Sequence, residues 1–75
     1  MPIYAIFALD DDRVPRVWID AYTSQDARRL VALNVPSHAR ALNNRVFDCV
    51  ADDTHRPPVG VILTAGGKTY TIEIM

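Results

Sequence analysis

The sequence predicts an α+β domain in the order strand, strand, helix, strand, strand, strand, with one antiparallel or mixed sheet and a single helix packed on one face. Three observations predict it. Residues 2–9, PIYAIFAL, form a short continuous apolar run rich in β-branched and aromatic side chains. Residues 19–33, IDAYTSQDARRLVAL, change from a period of two to a helical period in their middle. Residues 59–75 hold two strand-like runs around Gly66-Gly67.

The first strand is apolar on both faces, with Ile3, Ala5, Phe7 and Leu9 against Tyr4, Ile6 and Ala8. Such a strand belongs at the centre of a sheet or under a cover on its second face. Residues 10–16, DDDRVPR, are polar and contain Pro15, so they read as a loop into the second strand, VWIDAY (17–22). Thr23 is the expected N-cap of the helix, since its hydroxyl can accept from a free amide of the first turn. Asp26 stands at the capping-box position, facing the positive end of the helix dipole, and Tyr22 and Ala27 stand where a hydrophobic staple would form. Ala27, Leu30 and Val31 are expected inward, Arg28 and Arg29 outward. Pro36 disfavours helical geometry at Val35, so the helix should stop near Asn34. A rod of about three turns does not persist alone in water and must lie on the sheet.

Residues 36–44 carry one more helical turn, capped by Ser37, and a turn at Asn43-Asn44. The third strand is RVFDCVA (45–51), with Phe47, Cys49 and Ala51 on one face, and DDTHRPP (52–58) is a loop. In the final hairpin a two-residue Gly66-Gly67 loop pairs Leu63 with Tyr70, Val61 with Ile72 and Val59 with Ile74, all on one face. The C-terminal strand could then add to an edge or exchange between subunits. With no repeat or linker, residues 1–75 read as one domain.

Composition narrows the function. The chain is 49% hydrophobic and 23% charged, which is globular, and its net charge of −1 gives no polybasic or polyacidic signal for nucleic acid or membrane. A domain of this size hides little surface, so the apolar share points to a buried interface, most simply a homodimer. Cys49 is the lone cysteine, which excludes an intrachain disulfide and a paired-cysteine metal site and suits a reducing cytoplasm. Met1-Pro2-Ile3-Tyr4 carries no positively charged n-region or small-residue cleavage site, so no leader is expected, and no apolar run nears the ~18–20 residues of a membrane span.

The residues with reactive chemistry do not converge. His38 and His55 have no metal-ligand spacing, Ser24 and Ser37 sit where caps are wanted, and Cys49 lies mid-strand on an apolar face. Asp10-Asp11-Asp12 reads as a solvated loop, and AGGKTY (65–70) lacks the first glycine and the following helix of a phosphate loop. No catalytic residue, cofactor or metal is expected.

The expected function is a non-enzymatic, cytoplasmic protein-interaction module. Tyrosine, tryptophan and arginine are the usual anchors of interfaces. Trp18 on the sheet face away from the helix, Tyr22, and Arg28 and Arg29 on the outer helix face are the candidate contacts. On that reading Trp18→Ala weakens partner binding and leaves the melting temperature nearly unchanged. The alternative is a nucleic-acid-binding regulator, with phosphate contacts from the helix arginines and base stacking on Tyr4, Trp18 and Tyr22.

The layout YAIFAL, VWIDAYTSQDARRLVA, RVFDCVA, TAGGKTYTIEI, with Ala21, Thr23 and Ala27 as its signature, resembles very small proteins encoded by phages and plasmids, including some CRISPR–Cas inhibitors. In these a hairpin leads through A-x-T/S-x-x-x-A into a helix and a short meander. The resemblance implies a mobile-element protein that inhibits or modulates a macromolecular complex.

Overall fold

The computed structural model describes residues 1–73. Its strands are β1 (Ile3–Ala8), β2 (Val17–Asp20), β3 (Phe47–Ala51), β4 (Val61–Thr64) and β5 (Thr69–Thr71). One helix, α1 (Ser24–Asn34), follows β2, and a 3-10 turn at Pro36–His38 follows the helix. The strands form a single sheet in the order β3-β1-β2-β4-β5, with every neighbouring pair antiparallel. This is the expected α+β order, and β1 occupies the interior of the sheet as its two-sided apolar pattern requires.

The helix begins as its cap dictates. Thr23 is extended (φ −139°, ψ 163°), and its Oγ1 accepts from the Asp26 N–H at 3.1 Å. Tyr22 is 76% exposed, too open to staple the first turn. The last turn closes with Val35 N–H donating to the Val31 carbonyl at 2.9 Å, immediately before Pro36. Ser37 lies within the 3-10 turn and does not cap it; Pro36 starts that turn with its ring in place of an N–H.

Strand order forces two crossings. From β2 the chain must pass β1 to reach β3, and α1 makes that passage on one face. From β3 it must then pass both β1 and β2 to reach β4, and residues 52–60 make that passage on the other face. The core is therefore double. On the helix side Ile6, Val17, Ile19, Ile62 and Phe47 meet Ala27, Leu30, Val31 and Val35. On the far side Ile3, Ala5 and Trp18, with Leu63 alongside, form a second cluster. Each fully buried aliphatic side chain of this kind stabilises the fold by about 1.5–3 kcal/mol against staying in water.

The final hairpin differs from its expected register by one residue. Leu63 pairs with Thr69, Ile62 with Tyr70 and Val61 with Thr71. The loop has three residues, Ala65-Gly66-Gly67, closed by Thr64 N–H to the Lys68 carbonyl (2.8 Å) and Gly67 N–H to the Thr64 carbonyl (2.9 Å). Gly67 alone of the pair has positive φ, +91°, the position that ends a three-residue hairpin loop. The slip sends Ile62 and Tyr70 to the helix side and leaves Val61 and Leu63 on the far side. Val59 is 72% exposed in the preceding loop. Its expected partner Ile74 lies outside the described residues.

His38 is wholly buried between the 3-10 turn and β3, its ring 5.0 Å from that of Phe47. Nδ1 lies 2.8 Å from Ser37 Oγ, and Nε2 has no hydrogen-bond partner among the described residues. Burial lowers its pKa from 6.5, and the Pro15 carbonyl nearby pulls weakly the other way. The unfolded chain thus takes up a proton at a higher pH than the folded one. Stability should hold above that ordinary histidine value and fall as pH drops through it, until the folded ring also charges. Urea midpoints measured on either side of the ordinary histidine pKa check this: the acid-side loss should shrink in His38→Phe.

Candidate interaction surface

Four residues were expected to meet a partner: Trp18, Tyr22, Arg28 and Arg29. Two of them are internal.

Trp18 does lie on the sheet face away from α1, but it is only 5% exposed. In register across the sheet it follows Val50 and Ala5 and precedes Leu63. The 52–60 crossing covers it. The His55 ring stacks on the indole at 3.9 Å with 24° between planes, and Nε1–H donates to Asp52 Oδ2 at 3.4 Å. Asp52 organises the cover. Thr54 donates to it from both Oγ1 (2.6 Å) and its backbone N–H (3.0 Å), and Arg16 Nη1 lies 3.6 Å away. These contacts, Thr54 foremost, hold its carboxyl below the usual range despite partial burial. Arg16 also sits over the Phe7 ring at 4.4 Å. Trp18 is thus part of a second core.

Arg28 is corrected for a different reason. Its side chain is 9% exposed and runs inward along the helix. Nη1 donates to the carbonyls of Ala41 (2.8 Å) and Phe47 (3.1 Å), and Nη2 lies 3.7 Å from Asp48 Oδ1. A planar guanidinium can serve two carbonyls and a carboxylate together, so Arg28 ties the helix to the start of β3 and to the segment before it.

Tyr22 and Arg29 remain at the surface, and they share a cleft of about 370 Å³ at the end of β2 where the chain leaves the sheet. Leu30, Val59 and Ile72 supply apolar walls, and Asp20 and Asp26 line it with them. Arg29 Nη2 lies 3.8 Å from Asp26, both half exposed, a pair worth little by itself and free to exchange partners. Asp20 Oδ1 is buried without a hydrogen-bond partner among the described residues. Sequence reasoning missed Asp20, Val59 and Ile72. The latter two arrive from a distant loop and from the residue just after β5, and only the hairpin register brings Ile72 to this side.

A second hollow of about 380 Å³ lies between Met1–Ile3 and Ala51–Asp53, with Arg56 at its rim paired to Asp53 at 3.3 Å. Cys49 is half buried, its thiol pushed up by burial and not activated, and its Sγ lies 3.9 Å from the Ser24 carbonyl. Among the described residues no group of three or more His, Cys, Asp or Glu is placed to hold a metal ion, and no helix is long and apolar enough to cross a membrane. The chain matches no family model, no curated protein and no solved structure.

Proposed function

We propose that this chain is a non-enzymatic protein-interaction module that inhibits or modulates a macromolecular complex, in the manner of the small phage and plasmid proteins it resembles, and that the Tyr22–Arg29 cleft is its contact surface. One observation carries the reading: Tyr22 leaves 76% of its surface in solvent at the rim of an apolar-walled cleft. A rigid aromatic beside an arginine and an open apolar wall has the make-up of an interface anchor. The lone unactivated Cys49 suits a reducing cytoplasm, and a homodimer is a further element of the proposal. The nucleic-acid reading is weakened because Trp18 and Arg28, two of its contributors, are committed to the interior.

The test uses a partner recovered with the wild-type protein from its native host. Tyr22→Ala should weaken binding by about tenfold or more, while stability stays within about 0.5 kcal/mol because the ring packs on little. Affinity unaffected by both Tyr22→Ala and Arg29→Ala removes the cleft as the contact surface. Affinity that falls steeply with salt, with nucleic acid as the bound species, replaces the reading by the nucleic-acid one.

A further inference from the structure

The two edges of the sheet are not alike. At the β3 edge, Leu9 N–H bonds to the Val46 carbonyl and Asp52 N–H to the Ile3 carbonyl, so even-numbered residues turn toward β1. Phe47, Cys49 and Ala51 therefore turn outward. Half of those groups are already taken. Phe47 N–H donates to the Asn43 carbonyl (3.0 Å), the Phe47 carbonyl accepts from Arg28, and Cys49 N–H donates to Asp48 Oδ1 (2.8 Å). These bonds blunt the Phe47 end of this edge against a further strand.

At the other edge, Thr64 N–H bonds to the Lys68 carbonyl and Ile72 N–H to the Gly60 carbonyl, so Thr69, Thr71 and Glu73 turn outward. The Asn34 carboxamide occupies Glu73 in both directions, accepting its N–H at 2.9 Å and donating to its carbonyl at 3.4 Å. The outward N–H and C=O groups of Thr69 and Thr71 have no partner among the described residues, and both residues are exposed.

We propose that this edge of β5 pairs with the same edge of a second copy about a two-fold axis at Tyr70, joining two five-stranded sheets into one. An antiparallel register centred on Tyr70 places Thr69 opposite Thr71 of the other copy and Thr71 opposite Thr69. All the free outward groups of both chains are then satisfied in two reciprocal pairs. The register is self-complementary, which a closed two-fold contact demands and a foreign strand would not need. Lys68 falls opposite Ile72 and Glu73 opposite Gly67, so no like charges meet. The ladder ends where Asn34 holds Glu73. Both helices lie on the same side of the joined sheet, and the two Tyr70 rings adjoin there, each with its Lys68 Nζ 5.0 Å from the ring. The contact is separate from the Tyr22 cleft.

Sedimentation equilibrium of the full chain from micromolar to millimolar concentration tests this, with amide exchange followed in the same samples. The mass should rise from 8.4 kDa to twice that value, and exchange at Thr69 and Thr71 should slow as it does. Thr71→Pro removes an outward N–H that bonds nothing among the described residues and is tolerated on an edge strand. It should raise the dissociation constant by about tenfold or more with an unchanged circular dichroism spectrum, whereas Tyr22→Ala should leave the mass unchanged. A monomer at every concentration overturns the proposal. So does a dimer in which the Thr69 and Thr71 amides exchange as fast as in the monomer, whether or not the proline variant folds.

Discussion

Trp18→Ala lowers the stability of this domain by about 3–5 kcal/mol, the usual cost of emptying a large aromatic site. That is the reverse of what an exposed anchor would do. The substitution removes the indole from between Ala5 and the 52–60 crossing, leaves His55 nothing to stack on, and takes a donor from Asp52. A chain of 75 residues holds only about 4–11 kcal/mol in all, so a large part of its margin goes. At about 4–8 °C per kcal/mol for a domain of this size, the melting temperature should fall by well over 10 °C. Thermal and urea unfolding followed by far-ultraviolet circular dichroism reads this without relying on the lost fluorophore. An unchanged melting temperature would mean that the crossing does not cover the sheet, and Trp18 would return to the list of contact residues.

Arg28→Ala is the second large effect. Two carbonyls, those of Ala41 and Phe47, lose charge-assisted donors from buried bonds. A buried acceptor left unsatisfied costs about 1–3 kcal/mol, so the pair predicts a loss of about 2–6 kcal/mol. Two controls separate the causes. Arg28→Met keeps the aliphatic stem and should recover only the packing share. Arg28→Lys keeps a charge but lacks the planar fork, and should fall between wild type and the methionine variant. Chemical unfolding of the three variants should rank them lysine, methionine, alanine in falling stability. A lysine variant as stable as wild type would show that charge near Asp48 matters and the two carbonyl bonds do not. Arg29→Ala, one residue along the helix, should change stability by less than about 0.5 kcal/mol.

The elements legible in the sequence were those decided locally. Thr23 caps, Pro36 stops and the two-sided run of residues 3–8 sits centrally because each depends on residues within one turn or on its own alternation. Arg28 was also readable. It lies three residues before Val31 and seven before Val35, inside the apolar stripe, but its charge argued for solvent and periodicity should have prevailed. The hairpin register was not fixed by apolar pairing, because Leu63 has a second core to join and both registers bury something. Trp18 was misread for the same underlying reason: which face is covered depends on the path of residues 52–60, and that path follows from strand order, which alternation does not encode. Tyr22 and Arg29 were legible as surface residues, and the cleft they share was not, since Val59 and Ile72 reach it from elsewhere in the chain.

The crossings on opposite faces also dictate the timetable of assembly. A chain emerging from a ribosome can zip β1 to β2 early, since Ile3 pairs with Asp20 across a local loop. The other flank of β1 must wait for Ala51, which pairs with Tyr4. Through that interval a nascent chain carries an oily ribbon bare along one flank and on one whole surface. Such long-delayed closures slow folding and invite capture by other chains, so holding chaperones should find this small protein most attractive before its last third is made.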